Sequence, residues 1–511
     1  MQISVKLTRQ ILFMAAWGCV IPVIGSAPAA LANGSRITPS GSMPRPRTMA
    51  RPMATPAPTM PTAAPAAIAV PVAPPEAAKP APATQVNTQS FFNNAQKNAT
   101  KGKYRDAFAD YNRVLQAEPQ SVQALFGRGV MSLRLGDRTS ALTDLSQVIQ
   151  ADPQNAEALA HRGRLYYELG NISAAMSDTD RALAINPKLV PALVNRGYLQ
   201  TVVGQSQDAI TDFNQAVGVQ PNYAAAFVNR GYTRSTEADL ASALADVNQA
   251  LSVDKKYAPA YLNRGVIYEK QGQRESALAD FDQALKLKPD YIEAYYNRAL
   301  LQADLGRFSD ATLDLDRVIA LAPNRDEAYL RRAQLLTLTG DLPAALKDYD
   351  QTLTLKSNQP NAFKERGDIR AQMADFQGAI QDYDQAIALK PTDASTFLAR
   401  GKASISLGDP VMAVGDLTQA IELDRRSAEA FEQRGQAYVK LRDARSALAD
   451  FNQALELNPR SATAFYYRGG IQSALGQRQP ALNDLQQAAS LYRQQNNGEG
   501  YRKALEQIAK L

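Results

Sequence analysis

The chain has 511 residues, 45% of them hydrophobic, with a net charge of +6 at neutral pH. Seven of its 56 basic residues and one of its 50 acids lie in residues 1–87, which leaves 49 of each for the rest. The remainder is therefore neutral, which excludes the basic footprint that DNA or RNA binding requires. One cysteine, Cys19, and one histidine, His161, also exclude a disulfide framework and a zinc site built from these residue types.

In chain order, residues 1–32 read as a secretory signal peptide. Lys6 and Arg9 form a basic start, Ile11 to Gly25 an apolar stretch, and Ala30-Leu31-Ala32 a small-x-small cleavage site. Export to a periplasm or secretion is the expectation, with no membrane span left after cleavage. The alternative is a leader that stays uncleaved as an anchor. Cys19 and the sole tryptophan, Trp17, would leave with the leader. Residues 33–87 hold thirteen prolines among Ala, Thr and Met, with Arg36, Arg45, Arg47, Arg51 and Lys79. No apolar periodicity is present, so the segment reads as a disordered linker with polyproline II character. Fifty-five residues would reach roughly 170 Å extended at ~3.1 Å per residue, or nearer ~40 Å as a coil.

From residue 88 a 34-residue period takes over. Arg-Gly or Arg-Ala pairs recur at this interval from Arg128 to Arg468 without insertion, the signature of a solenoid. The clearest unit starts at Ala258, and positions are counted from it. Tyr261, Leu262, Gly265, Val266 and Tyr268 give a first amphipathic helix, which Gly272 ends. Ala277, Leu278, Phe281, Ala284, Leu285 and Leu287 give a second, and Pro289 stops it. Position 8 is Gly or Ala and position 20 is Ala in every unit, where the two helices should cross. Arg at position 7 and Asp at position 23 predict a structural ion pair, within a hairpin or between neighbours. Twelve units follow: 88–121, 122–155, 156–189, 190–223, 224–257, 258–291, 292–325, 326–359, 360–393, 394–427, 428–461 and 462–495. In residues 496–511, Tyr501, Ala504, Leu505, Ile508 and Leu511 share one helical face and predict a capping helix, with a partner-docking helix as the alternative.

Tyr261, Gly265, Tyr268, Ala277, Phe281, Ala284 and Pro289 resemble the tetratricopeptide repeat (TPR), in an Asn-Arg-Gly variety with Arg264 where the family more often has Leu. With the leader, the resemblance is to an exported bacterial type. It implies an all-α, right-handed TPR superhelical solenoid of about twelve helix–turn–helix repeats. It also implies that ligands lie in a concave groove lined by the first helices. At position 6 stand Asn195, Asn229, Asn263 and Asn297, which resemble the asparagine ladder of O-linked N-acetylglucosamine transferases. Leu262 and Tyr296 at position 5, and Tyr198 and Tyr232 at position 9, flank them. A carboxamide is donor and acceptor at once, so such a ladder suits the backbone of an extended peptide. The alternative is that Asn-Arg-Gly is simply how this repeat is written. Lys364 with Asp368 fails the family's carboxylate-clamp pattern. Glu365, Asp368, Glu429 and Glu432 mix with Lys364, Lys402 and Lys440 on the C-terminal face, either for a polar partner or as a solvated face. The expected role is a scaffold or adaptor for protein partners, without catalysis, metal or cofactor. The competing role is a structural spacer or assembly factor of the cell envelope. The oligomeric state is not legible.

Overall fold

The computed structural model describes residues 88–511, and the leader and linker expectations for 1–32 and 33–87 lie outside it. The described residues form α-helices joined by short turns, with no strand among them. They fall into two compact units, 88–170 and 171–511. The first holds α1 (Thr88–Thr100), α2 (Tyr104–Ala117), α3 (Val122–Leu135), α4 (Arg138–Ala151) and α5 (Ala156–Glu168). The second runs α6 (Ile172–Ile185), α7 (Val190–Val202), α8 (Ser206–Val219), α9 (Ala224–Thr236), α10 (Leu240–Val253), α11 (Ala258–Lys270), α12 (Arg274–Leu287) and α13 (Ile292–Asp304). It continues with α14 (Phe308–Leu321), α15 (Asp326–Thr339), α16 (Leu342–Leu355), α17 (Pro360–Gln372), α18 (Phe376–Leu389), α19 (Ala394–Leu407) and α20 (Pro410–Leu423). The last elements are α21 (Ala428–Lys440), α22 (Ala444–Leu457), α23 (Ala462–Ala474), α24 (Arg478–Gln494) and α25 (Gly498–Ile508). The described residues are all α-helical, and within each unit they form helix–turn–helix pairs of a TPR-like solenoid, the second unit ending in a capping helix.

Each turn is made by a left-handed residue at position 15. In α11–α12 it is Gly272 at φ +78°, and the Gln273 N–H reaches back 2.8 Å to the Tyr268 carbonyl, closing the end of the helix. The same conformation is imposed on Ala238, Ala374 and Arg442, at φ 63°, 64° and 60°. The turn geometry therefore belongs to the hairpin and not to glycine alone. Aspartates such as Asp239 and Asp443 cap several of the second helices by accepting from a backbone N–H at its third residue.

The small residues at the crossing are a packing requirement. A Cβ on Gly265 would stand 2.6 Å from the Phe281 ring and 3.2 Å from the Ala277 carbonyl. Within the second unit the core continues from hairpin to hairpin, with Leu262, Val266 and Phe281 in one cluster with Ala294 and Leu301. At the end of the chain α24 runs to 17 residues. Its Tyr492 lies against Gly500, and Ala504 of α25 is fully buried among Ala488, Ala489 and Leu491. The capping helix thus covers the face that a thirteenth hairpin would cover. Among the described residues no helix is long and apolar enough to cross a membrane.

Candidate functional site

The repeated charges settle the frame on which any site must sit. Arg264 grips Asp280 of its own hairpin with two prongs, Nε and Nη2 each at 2.8 Å, and its Nη1 donates to Asn248 of the preceding hairpin at 3.0 Å. The pattern recurs from Arg196 with Asp212 to Arg468 with Asp484. At Arg196, Arg298, Arg332, Arg366 and Arg400 the outer partner is itself a carboxylate: Asp180, Asp282, Asp316, Asp350 and Asp384. One guanidinium therefore closes its own hairpin and staples it to the one before. The position-23 aspartates are buried and the arginines half-buried, so the pairs are fixed and little screened.

With the frame fixed, the first helices are left to form one face. On α7, α9, α11 and α13 the asparagines stand at one register. Asn229, Asn263 and Asn297 each donate Nδ2 to the carbonyl four residues back, that of Ala225, Pro259 and Glu293, at 2.8–2.9 Å. The Asn229 Oδ1 is buried and accepts nothing. Asn195, Asn229 and Asn263 are buried and Asn297 half-buried. Tyr198 is buried beside them and Tyr232 half-buried. The position-5 residues are placed differently. Leu262 belongs to the cluster with Ala294 and Leu301, and Tyr296 to the one with Ala328 and Leu335. Both lie in the seams between hairpins, where they hold the ladder's register.

On α15–α23 the same face is ionic. Glu365 accepts from Tyr349 Oη and Gln334 Nε2, both at 3.0 Å. Asp368 accepts from Tyr383 Oη at 2.9 Å and from Lys364 at 2.8 Å. The carboxylates and burial push both tyrosine hydroxyls far above their ordinary pKa, so they remain donors, with burial the larger cause. Lys402 pairs with Glu429 at 2.8 Å, both half-exposed. Glu432 accepts from Ser461, and burial pushes its carboxyl up. Lys440 is exposed at the end of α21.

Sequence models described as tetratricopeptide repeat match residues 95–145, 132–196, 258–291, 296–360 and 428–461, and one described as TPR repeat matches 367–408. The chain is a tetratricopeptide repeat protein. No curated protein sequence matches it. Among solved structures it is similar to YrrB, titled a TPR protein with an unusual peptide-binding site, at 25% identity and TM-score 0.34, covering 39% of this chain and 98% of that one. It is similar to yeast Tom70 at 15% identity and TM-score 0.32, covering 83% and 96%. It is also similar to a tetratricopeptide repeat protein from Parabacteroides merdae at 22% and 0.37, covering 48% and 96%. In TPR terms, the residues that sequence reasoning missed are the position-25 partners of the arginines and the cluster around Arg325. The first had a signal, because Asn248 precedes Arg264 by the same sixteen residues that separate Arg264 from Asp280. Among the described residues no group of His, Cys, Asp or Glu is placed to hold a metal ion.

Proposed function

We propose that this TPR protein is a non-catalytic scaffold that binds extended peptide segments of protein partners along its first helices, outside the cytoplasm. The tetratricopeptide repeats make it a protein–protein interaction scaffold. The observation that carries the finer reading is the geometry of the ladder. Three carboxamides are tied to their own helices by Nδ2 at identical register, which fixes how each Oδ1 is presented, and the Asn229 Oδ1 has no partner. A buried acceptor left unmet costs about 1–3 kcal/mol, and a peptide N–H would meet it. Tyr232 and Tyr198 on the same helices would lie beside the bound backbone. The Lys6–Arg9 start, apolar stretch and Ala30-Leu31-Ala32 site support action outside the cytoplasm.

The test compares the full chain with a variant carrying Asn195, Asn229, Asn263 and Asn297→Ala, after circular dichroism shows equal helicity. Partners captured from envelope extract are identified and titrated against both. Each carboxamide bond contributes about 0.5–1.5 kcal/mol, so a loss of at least ~30-fold in affinity is expected. Equal affinities would sink the groove reading and favour a scaffold that works through its ends or its outer helices.

A further inference from the structure

At the end of the ladder the polar bookkeeping fails. Position 34 is Tyr at 223, 257 and 291, but Arg at 325. The Arg325 side chain is only 4% exposed, with its guanidinium carbon 4.5 Å from the Tyr296 ring centroid, yet its Nε and Nη1 have no hydrogen-bond partner. Its nearest carboxylate, Glu293, stops at 4.0 Å, whereas the position-7 arginines close on theirs with two direct bonds. Two residues on, the Glu327 Oε2 is buried without a donor. Three unmet polar atoms, two donors and one acceptor, thus lie on residues two apart at the junction between α14 and α15. Buried polar groups are satisfied as a rule, and each exception requires an explanation.

We propose that Arg325 and Glu327 form an anchor for one peptide unit of the bound segment. Its carbonyl accepts from the Arg325 edge and its N–H donates to Glu327 Oε2. An amide has that pair of functions, whereas a bare anion would face Glu293 and Glu327, and a bare cation would face Arg325. The Tyr296 ring backs the guanidinium, and Glu293 attracts it without occupying its donors. Burial raises both the Glu293 and the Glu327 carboxyls, and the neighbouring Asp326 raises Glu327 further. The anchor rests on the reading that the ladder binds peptide backbone, and it fixes where along the segment the polar grip is strongest.

Random dodecapeptides are panned by display against the full chain, and the tightest is synthesised with blocked ends. It is titrated against wild type, Arg325→Tyr, Glu327→Gln and the four-asparagine variant. It is also remade with each backbone N–H methylated in turn. The expected result is a loss of at least tenfold with Arg325→Tyr and with Glu327→Gln. One N-methyl position should lose tenfold on wild type and almost nothing further on Glu327→Gln. Arg325→Tyr should also raise Tm, because it removes unmet donors and restores the tyrosine of the preceding hairpins. If the four-asparagine variant loses binding while Arg325→Tyr and Glu327→Gln keep it, the anchor is wrong and the ladder stands. If no peptide is selected, both fall. If Arg325→Tyr lowers Tm, Arg325 is a structural residue and the proposal is overturned.

Discussion

The first helices α7–α13 and α17–α23 are the same hairpin element carrying two different faces. Both groups cross their second helices at Gly or Ala, and both are stapled by the position-7 arginine. On α7–α13 the face is apolar and amide-bearing, and its side chains are largely buried. On α17–α23 it is ionic, with Glu365 and Asp368 steadied by the hydroxyls of Tyr349 and Tyr383 from the second helices α16 and α18. The fold is thus specified by a few positions that vary little, Gly or Ala at the crossing and Arg with Asp at the staple. The face positions are left free to vary, and they divide the stack into chemically distinct stretches. Ways to break that division start with the staple. Asp280→Ala, under the amide face, strands Arg264. Asp382→Ala, under the ionic face, strands Arg366 and Arg370, both of which bond it. Removing one partner of a buried pair costs about 3 kcal/mol. Both variants should lose about that much in urea unfolding, with Asp382→Ala the worse. A loss confined to one of them would show that the frame is not common to the two faces.

The crossing glycines give the next effect. Gly265→Leu and Gly367→Leu would each drive a side chain into a ring, with Cβ at 2.6 Å from Phe281 and 2.7 Å from Tyr383. Overpacking of this kind costs about 1–3 kcal/mol. Gly367→Leu carries a second consequence, since displacing the Tyr383 ring also breaks its bond to Asp368. Thermal unfolding should therefore show Gly367→Leu as the more damaging. Equal losses would mean that the tyrosine hydroxyl contributes nothing to holding the ionic face.

Much of this was legible in the sequence because it repeats. Arg264 with Asp280, Gly265 with Ala277 and the break at Gly272 all follow from position in a 34-residue unit. What was not legible depends on contact between units. Leu262 looks like a groove residue on its own helix, but the next hairpin brings Ala294 and Leu301 against it and turns it into core. A residue's face on one helix says nothing of what the neighbouring helix covers. Arg325 was hidden for a related reason: a single arginine replacing tyrosine at a junction carries no periodic signal. Its meaning appears only when Glu293, Tyr296 and Glu327 from two helices close around it. The left-handed backbone at Ala238 and Arg442 was equally silent, since neither residue announces that conformation.

Those two turns supply the smallest and most discriminating test. Ala238 closes the α9–α10 hairpin, under the amide face, and Arg442 closes α21–α22, under the ionic one. A side chain in the left-handed region costs roughly 1 kcal/mol relative to glycine, and the turn is otherwise the one that Gly272 makes without strain. Ala238→Gly and Arg442→Gly should each raise stability by about 0.5–1 kcal/mol, visible as a small gain in Tm. If the turn belongs to the frame alone, the two gains are equal and additive, since the sites are in separate hairpins. If Arg442→Gly gains less than Ala238→Gly, the arginine offsets its own strain through the charges around α21. The ionic face would then reach into the turn, and the separation between frame and face would hold for the amide stretch only.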